Sequence, residues 1–375
     1  MRPHAPGNEL AIPCSLPAGA AVGHNDGIVT GHPRKLVSGR LNLPLVAVVV
    51  AAMSVLWSSS DGVAIPRTAS GVPRSFPVSV GDPPLSGTLT LPARSGRYPA
   101  VVLVSGSGPN DQDETVGADK PFRDIADGLA DHGIASIRYD KRTKDYPGAI
   151  DLATFTPTEE YVPDAVAAVH LLQRRSDIDS SRIFVLGHSQ GGTFAPKIAH
   201  TDPNVAGIIL LAASTESIGS ALVRQLTYLS SLPGAVGQQA RANLPEAEQA
   251  AQQIDNPDLS VANRSTWPTS PLLGGASAAY FLDLRSYNPV ATARAIPQSI
   301  LILQGGRDYQ VTVANDLSRW EQGLTGRRGV TVHVYADDDH LFIKGSGPSS
   351  PADYEKPKHV DPQVISTIAE WIDSH

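Results

Sequence analysis

The segment 187–191, with the sequence GHSQG, constrains the fold of this chain more than any other stretch. The apolar residues 183–186 precede it, and small residues with helical spacing follow it over 192–200. An apolar run bounded by glycine is typical of a buried strand. The pattern therefore predicts a strand, a tight turn and a helix, in which the two glycines let Ser189 adopt a strained backbone conformation with an exposed hydroxyl.

G-x-S-x-G at a turn between a strand and a helix is the nucleophile elbow of serine hydrolases. The motif alone is weak, because about 0.2 copies arise by chance in a chain with this glycine and serine content. Its position between a strand and a helix favours Ser189 as a nucleophile over a turn serine without a chemical role.

A serine hydroxyl becomes a nucleophile when a base removes its proton, and the base needs an acid that fixes its tautomer. Chains with this elbow carry the three residues in the order Ser, Asp or Glu, His. Asp308 follows a predicted strand at 299–303, and His340 follows another at 330–335. Because open α/β sheets gather their ligands at the carboxyl ends of the strands, we predict Asp308 as the acid and His340 as the base.

Other residues compete for these roles. Asp337, Asp338 and Asp339 are alternative acids, but their closeness to His340 in sequence hinders an approach to its ring, and we interpret them as a solvated loop. His188 flanks the serine and competes with His340 for the role of base, but it is expected to point aside from the serine hydroxyl.

An acyl-transfer site also needs N–H donors for the oxyanion of the tetrahedral intermediate. The backbone N–H of Gln190, at the start of the predicted helix, is one candidate. The loop 105–110 (SGSGPN) offers the second, and we predict Ser107. The alternative, a dinucleotide-binding loop, fits poorly because Asp111 replaces the third glycine and no helix starts there. The sequence contains no metal-protease or phosphate-loop motif, so neither a metal nor an organic cofactor is expected.

The remainder of the chain alternates between strands and helices, which predicts a mainly parallel sheet with helices on both faces, the α/β-hydrolase fold. A hairpin at 75–80 and 86–92 opens this domain, which we assign to residues 65–375. Residues 216–298, rich in Ala, Gln, Leu and Ser, interrupt the alternation and predict a helical lid inserted in the domain. A purely structural decoration is the alternative.

Charge and cysteine content exclude several classes of protein. The net charge of −7, without a basic stripe, argues against nucleic acid as a partner. Cys14 is the single cysteine and lies in the leader, so the body contains neither a disulfide nor a thiolate metal site.

The N-terminal region predicts export. Residues 1–40 form an unstructured leader, and three basic residues near its end precede the uncharged segment 41–57. Basic residues before an apolar segment are typical of an export signal. We therefore assign 41–64 to a signal peptide or a membrane anchor and expect a secreted or cell-envelope protein.

The segments VSGSGPNDQDET, RYDKR, GHSQGG, SYNPVATARAIPQSILILQGGRDYQV and DDDHLF resemble those of bacterial carboxylesterase-like α/β-hydrolases, a group similar to dienelactone hydrolases and to the catalytic domains of prolyl-oligopeptidase-type peptidases. The resemblance covers residues 73–375. It implies a serine hydrolase with a triad and two backbone oxyanion donors: Ser189, Asp308 and His340, with Ser107 and Gln190.

The function expected on these grounds is hydrolysis of a small-molecule carboxylic ester with a short or medium acyl group. A peptidase, thioesterase or lactonase would use the same triad and stays as the first alternative. A non-catalytic envelope binding module on the same scaffold is the second. The sequence leaves the oligomeric state open.

Overall fold

The structure is a computed structural model that describes residues 72–375. The predicted leader 1–40 and the signal or anchor segment 41–64 lie outside the described residues. Among the helices within 72–375, none combines the length and the apolar character needed to cross a bilayer.

Eight strands form one sheet in the order β1-β2-β4-β3-β5-β6-β7-β8. The first two strands form the predicted hairpin, which joins the sheet antiparallel to β4. All other neighbours are parallel, as predicted from the alternation of strands and helices. The strands are β1 Arg74–Val80, β2 Leu85–Leu91, β3 Tyr98–Val104, β4 Ala135–Tyr139, β5 Ile178–His188, β6 Gly207–Leu211, β7 Ser299–Gly305 and β8 Val330–Tyr335.

Ten α-helices connect and cover these strands in the described part of the chain. They are α1 Pro121–Asp131, α2 Arg142–Asp145, α3 Pro157–Gln173, α4 Gln190–Thr201, α5 Ile218–Ser230, α6 Gly234–Asp255, α7 Ala278–Ser286, α8 Pro289–Ala295, α9 Ser318–Gly323 and α10 Pro362–Asp373. The helix predicted at 314–324 starts instead as a π-helical turn, Val313–Leu317, before α9. The helix predicted from Tyr161 begins four residues earlier, because Thr156 and Glu159 form a capping box there.

The sheet is buried on both faces. In β3, Val101 and Leu103 pack towards α1 and α10, whereas Val102 and Val104 pack towards α3 and α4. This two-sided burial explains the nearly continuous apolar runs of the central strands. The core therefore fixes the carboxyl ends of β3, β5, β6 and β7 at one edge of the sheet.

The helical insertion lies between β6 and β7, as predicted, and includes α5, α6 and α7. Its helices pack around an apolar cluster of their own, which also contains Tyr309 from the loop after β7. Tyr309 stacks on Tyr228 of α5 with 5.1 Å between ring centroids. Arg224 of α5 donates to the carbonyls of Tyr309 and Gln310, both at 2.8 Å. The insertion is thus anchored beside Asp308, while its role as a lid stays a prediction.

The C-terminal helix α10 provides a test of the packing. Ile368 is fully buried between α10 and the sheet. We expect Ile368→Ala to lower the free energy of unfolding by about 2–5 kcal/mol, because a cavity replaces the lost side chain. Urea unfolding of the purified protein measures this change. The matched control, Val334→Ala on exposed β8, is expected to change the same quantity by at most about 0.5 kcal/mol. Equal losses in both variants would contradict this description of the core.

Candidate active site

Ser189 occupies the turn between β5 and α4. Its backbone angles are φ 52° and ψ −122°, a left-handed conformation that is strained for a residue with a side chain. The N–H of Ser189 donates to the carbonyl of Leu211 at the end of β6, at 2.8 Å. The carbonyl of Ser189 accepts from Thr193 at 3.1 Å. The neighbouring strand and the first turn of the helix together hold the strained conformation in place.

The glycines of the elbow are required by close packing of backbones. A Cβ on Gly187 would collide with the carbonyl of Gly191, and a Cβ on Gly191 would collide with the carbonyl of Val104 at the end of β3. The elbow therefore has β3 directly beside it, which brings the loop after β3 next to Ser189.

His340 and Asp308 meet at the same edge of the sheet. The Nδ1 atom of His340 lies 2.7 Å from Oδ2 of Asp308, and both side chains are at most 5% exposed. The other carboxylate oxygen, Oδ1, accepts from the backbone N–H groups of Gln310 and Val311 at 2.7 and 2.9 Å. These amides fix the orientation of the carboxylate, which in turn fixes the ring of His340.

The prediction of a solvated triple Asp is wrong for two of its members. Asp337 is exposed, whereas Asp338 and Asp339 are at most 1% exposed. The reason is a turn in which Asp338 bridges to Lys344 and Oδ1 of Asp339 accepts from the amides of Leu341 and Ile343. Burial raises the pKa of Asp338 and that of Asp339 to about 6. Neither carboxylate hydrogen-bonds to the ring of His340.

Ser189 and His340 line one narrow cavity. Its polar wall includes the loop after β3, and its apolar wall includes Val116 and Leu341. The full lining is Gly106, Ser107, Glu114, Val116, His188, Ser189, Gln310, His340 and Leu341. The candidate nucleophile, the candidate base and Ser107 thus share one space, while Gln190 adjoins it as the residue that starts α4.

Sequence reasoning missed Glu114, a buried acid of this cavity. Its Oε1 accepts from the N–H of Gly106 at 2.5 Å and lies 2.9 Å from Nδ1 of His188. The Nε2 atom of His188 lies 2.9 Å from the backbone carbonyl of His340. One side-chain pair therefore joins the loop after β3, the elbow and the loop of His340. The acid at the end of the DQDE segment was the only signal of this pair in the sequence.

Both ring nitrogens of His188 have partners other than Ser189, in keeping with the expectation that this side chain points aside, but its ring belongs to the site. Its ring lies 4.6 Å from the ring of His340 and is buried, with a carboxylate at one nitrogen and a carbonyl at the other. Burial alone lowers the pKa of His188, but the Glu114 carboxylate, the carbonyl of His340 and the charge of Asp308 outweigh it and raise that pKa above its ordinary value of 6.5. Both partners are acceptors, so the arrangement suits a doubly protonated ring.

Within residues 72–375, no group of three or more His, Cys, Asp or Glu side chains is arranged to hold a metal ion.

The family model described as "Serine aminopeptidase, S33" matches residues 119–343. This chain belongs to that family of hydrolases. Esterase EstD of Thermotoga maritima is 40% identical over 288 residues, which amount to 77% of this chain and 65% of EstD. The chain thus spans slightly less than two thirds of the length of this relative. The resemblance to α/β-hydrolases predicted from the motifs is confirmed.

Two solved structures are similar to this chain. A hypothetical protein of Pseudomonas aeruginosa superposes with a TM-score of 0.50 at 14% identity, covering 86% of this chain and all of that protein. An esterase of Pyrococcus furiosus gives a TM-score of 0.48 at 16% identity, covering 84% of this chain and 99% of that one. Together with the family match and the sheet order, the first of these confirms the α/β-hydrolase fold.

The buried pair of His188 and Glu114 predicts a pH-dependent stability. Because the folded-state pKa of His188 is raised, the pair stabilises the fold fully below pH 6.5 and loses that contribution as the pH rises through the folded-state pKa. We expect Glu114→Gln to lower the free energy of unfolding by about 1–3 kcal/mol at pH 6 and by less at pH 9. Urea unfolding at both values measures the difference.

The control for this prediction is Glu355→Gln, which removes an exposed carboxylate. It is expected to show the same small change at both pH values. A cost for Glu114→Gln that is equal at pH 6 and pH 9 would exclude a charged His188.

Proposed function

We propose that this protein is a serine hydrolase that cleaves carboxylic esters through an acyl-enzyme. The single observation that carries the proposal is the cavity that a strained Ser189 shares with His340, whose Nδ1 lies 2.7 Å from the buried carboxylate of Asp308. A family of hydrolases and a relative named an esterase support the same reaction type.

The proposed roles follow from the hydrogen bonds. Asp308 accepts from Nδ1 of His340, which leaves Nε2 as the basic nitrogen towards the shared cavity. His340 removes the proton of Ser189 as its oxygen attacks the ester carbonyl, and it then protonates the leaving alcohol. Water repeats the sequence on the acyl-enzyme, releasing the acid. No cofactor takes part in this scheme.

The amides of Ser107 and Gln190 are proposed to bind the oxyanion. Gln190 is the first residue of α4, where backbone N–H groups have no partner inside the helix. In the loop after β3, the N–H of Gly106 is occupied by Glu114, so Ser107 supplies the next amide. Gln190 follows Ser189 in the chain, and Ser107 lines the same cavity as Ser189.

The narrow cavity and its apolar wall of Val116 and Leu341 support a small-molecule ester with a short or medium acyl group. The family name, which refers to an aminopeptidase, makes amide cleavage the alternative. A panel of matched ester, amide, thioester and lactone substrates separates these reactions. Faster turnover of an aminoacyl amide than of its ester would overturn the ester assignment.

We further propose that the protein acts outside the cytoplasm. This rests on the basic residues that precede the apolar segment 41–57 in the sequence. Fractionation of the producing cells and N-terminal sequencing of the mature protein test it. A cytoplasmic protein that keeps residue 1 would overturn it.

The nucleophile is tested by Ser189→Ala. We expect this variant to lose at least about 10³-fold in kcat for a chromogenic short-chain ester and to resist labelling by a fluorophosphonate, because the attacking oxygen is gone. Mass spectrometry of the labelled wild type locates the adduct. Adduct formation at another residue, or full activity of the variant, would exclude the assignment.

The acid is tested by comparing Asp308→Asn with Asp337→Asn. The first substitution keeps the size of the side chain but removes the acceptor that fixes the His340 tautomer, so kcat is expected to fall by about 10⁴-fold. The second changes an exposed carboxylate of the neighbouring loop and is expected to retain wild-type kcat. Steady-state kinetics of both variants checks the pair, and the reverse order of losses would assign the acid to the Asp337–Asp339 loop.

A further inference from the structure

The carbonyl of Gly106, in the loop that carries the proposed oxyanion donor, accepts from three side chains. Lys141 Nζ lies 2.9 Å from this oxygen, the hydroxyl of Tyr161 lies 2.8 Å away, and Nδ2 of Asn110 lies 3.1 Å away. Asn110 also donates to the carbonyl of Ser107 at 3.0 Å. A carbonyl oxygen has two lone pairs, so one or two donors are enough to satisfy it, and the Gly106 carbonyl has three.

This carbonyl belongs to the same peptide group as the N–H of Ser107. Among the described residues the cis peptide is Asp82–Pro83, so the bond between Gly106 and Ser107 is trans. In a trans peptide the C=O and the N–H point in opposite directions. Donors that hold the Gly106 oxygen on the side of β4 and α3 therefore aim the Ser107 N–H away from them, towards the cavity shared with Ser189.

From this geometry we propose that Lys141, Tyr161 and Asn110 form a clamp that orients and polarises the peptide that donates to the oxyanion. They are positioning residues, because they act through the peptide and not on the substrate. The inference rests on the proposed function and adds to it the residues that prepare the second oxyanion donor.

Lys141 gives the clamp its charge. It is 4% exposed and pairs with Glu160, also 4% exposed, at 2.9 Å. A buried ion pair is costly to form, and apolar residues of the same volume often stabilise a fold as well. Here the ammonium group also contacts the Gly106 carbonyl, where a positive charge draws electron density from the peptide. The N–H of Ser107, which belongs to the same peptide group, then becomes a stronger donor to a developing negative charge.

The clamp also reaches the other proposed donor residue. The hydroxyl of Tyr161 lies 3.1 Å from Oε1 of Gln190, and the hydroxyl of Tyr280, from the helical insertion, lies 3.4 Å from the same oxygen. Tyr280 also donates to Glu160 at 3.2 Å. The buried polar network around Gly106 thus extends to the side chain of Gln190, whose backbone N–H is the other proposed donor.

Tyr161→Phe is the main test, because it removes one donor to Gly106 and leaves a ring that stacks on Phe194. We expect kcat per active site to fall by about 10–100-fold with KM changed less than about 3-fold, somewhat less than the loss of a whole oxyanion donor. Active sites are counted by fluorophosphonate titration, so unfolded protein does not lower the value. Lys141→Met combined with Glu160→Gln removes the charge without leaving an unpaired one and is expected to show the same pattern.

The matched control is Tyr146→Phe, which also removes a tyrosine hydroxyl that donates to a backbone carbonyl, that of Pro84 at 2.8 Å. It lies outside the proposed clamp and is expected to keep the wild-type kcat. Equal losses in Tyr146→Phe and Tyr161→Phe would show a general effect on the fold and would overturn the inference.

The inhibition constant Ki of a trifluoromethyl ketone is a second measurement, which would not change if the clamp residues had only a structural role. The carbonyl carbon of this ketone binds the serine oxygen, and the resulting tetrahedral adduct carries the oxyanion. In the clamp variants its Ki is expected to rise by the same factor by which kcat/KM falls. Wild-type kcat and Ki in Tyr161→Phe would overturn the clamp alone. Absence of ester hydrolysis and of Ser189 labelling in the wild type would overturn the proposed function, and the clamp with it.

Discussion

The close approach of three backbone segments is the constraint on which the rest of this structure depends. The end of β3, the elbow and the end of β6 meet so tightly that a Cβ on Gly187 or Gly191 would overlap a carbonyl group. Ser189 keeps its left-handed conformation because Leu211 holds its N–H. The central strands must be buried on both faces to bring these ends together. The apolar core is therefore a precondition of the site as well as of the fold.

The fold was predictable, and the triad could be proposed, because their signals in the sequence are local. Apolar runs indicate β3, β5, β6 and β7. The elbow has a fixed sequence motif, G-x-S-x-G, between a strand and a helix. Asp308 and His340 could be proposed because each lies in the loop after a predicted strand, and parallel strands end at one edge. The helical insertion was readable from the break in this alternation. None of these predictions needed a contact between distant residues.

What the sequence could not provide is burial and long-range partnership. In the sequence, Asp338 and Asp339 look like part of a charged loop, but the turn in which Asp338 pairs with Lys344 buries them. Glu114 and His188 are 74 positions apart and share no motif, yet they form one buried pair. Lys141 lies in RYDKR, a segment that matched the family without suggesting a role. Such polar residues can be buried because residues distant in the sequence provide their hydrogen-bond partners. The sequence alone does not show which residues those partners are.

The stacked rings of Tyr228 and Tyr309 connect helix α5 to the loop that carries Asp308. Tyr309 directly follows Asp308 in the chain and stacks on Tyr228 of α5. Arg224 of α5 donates hydrogen bonds to the carbonyls of the next two residues, Tyr309 and Gln310. Any swing of α5 would separate the rings or drag the carboxylate away from His340. The position of α5 and the position of the Asp308 carboxylate are therefore coupled, so a substitution in α5 can disturb the acid without touching it.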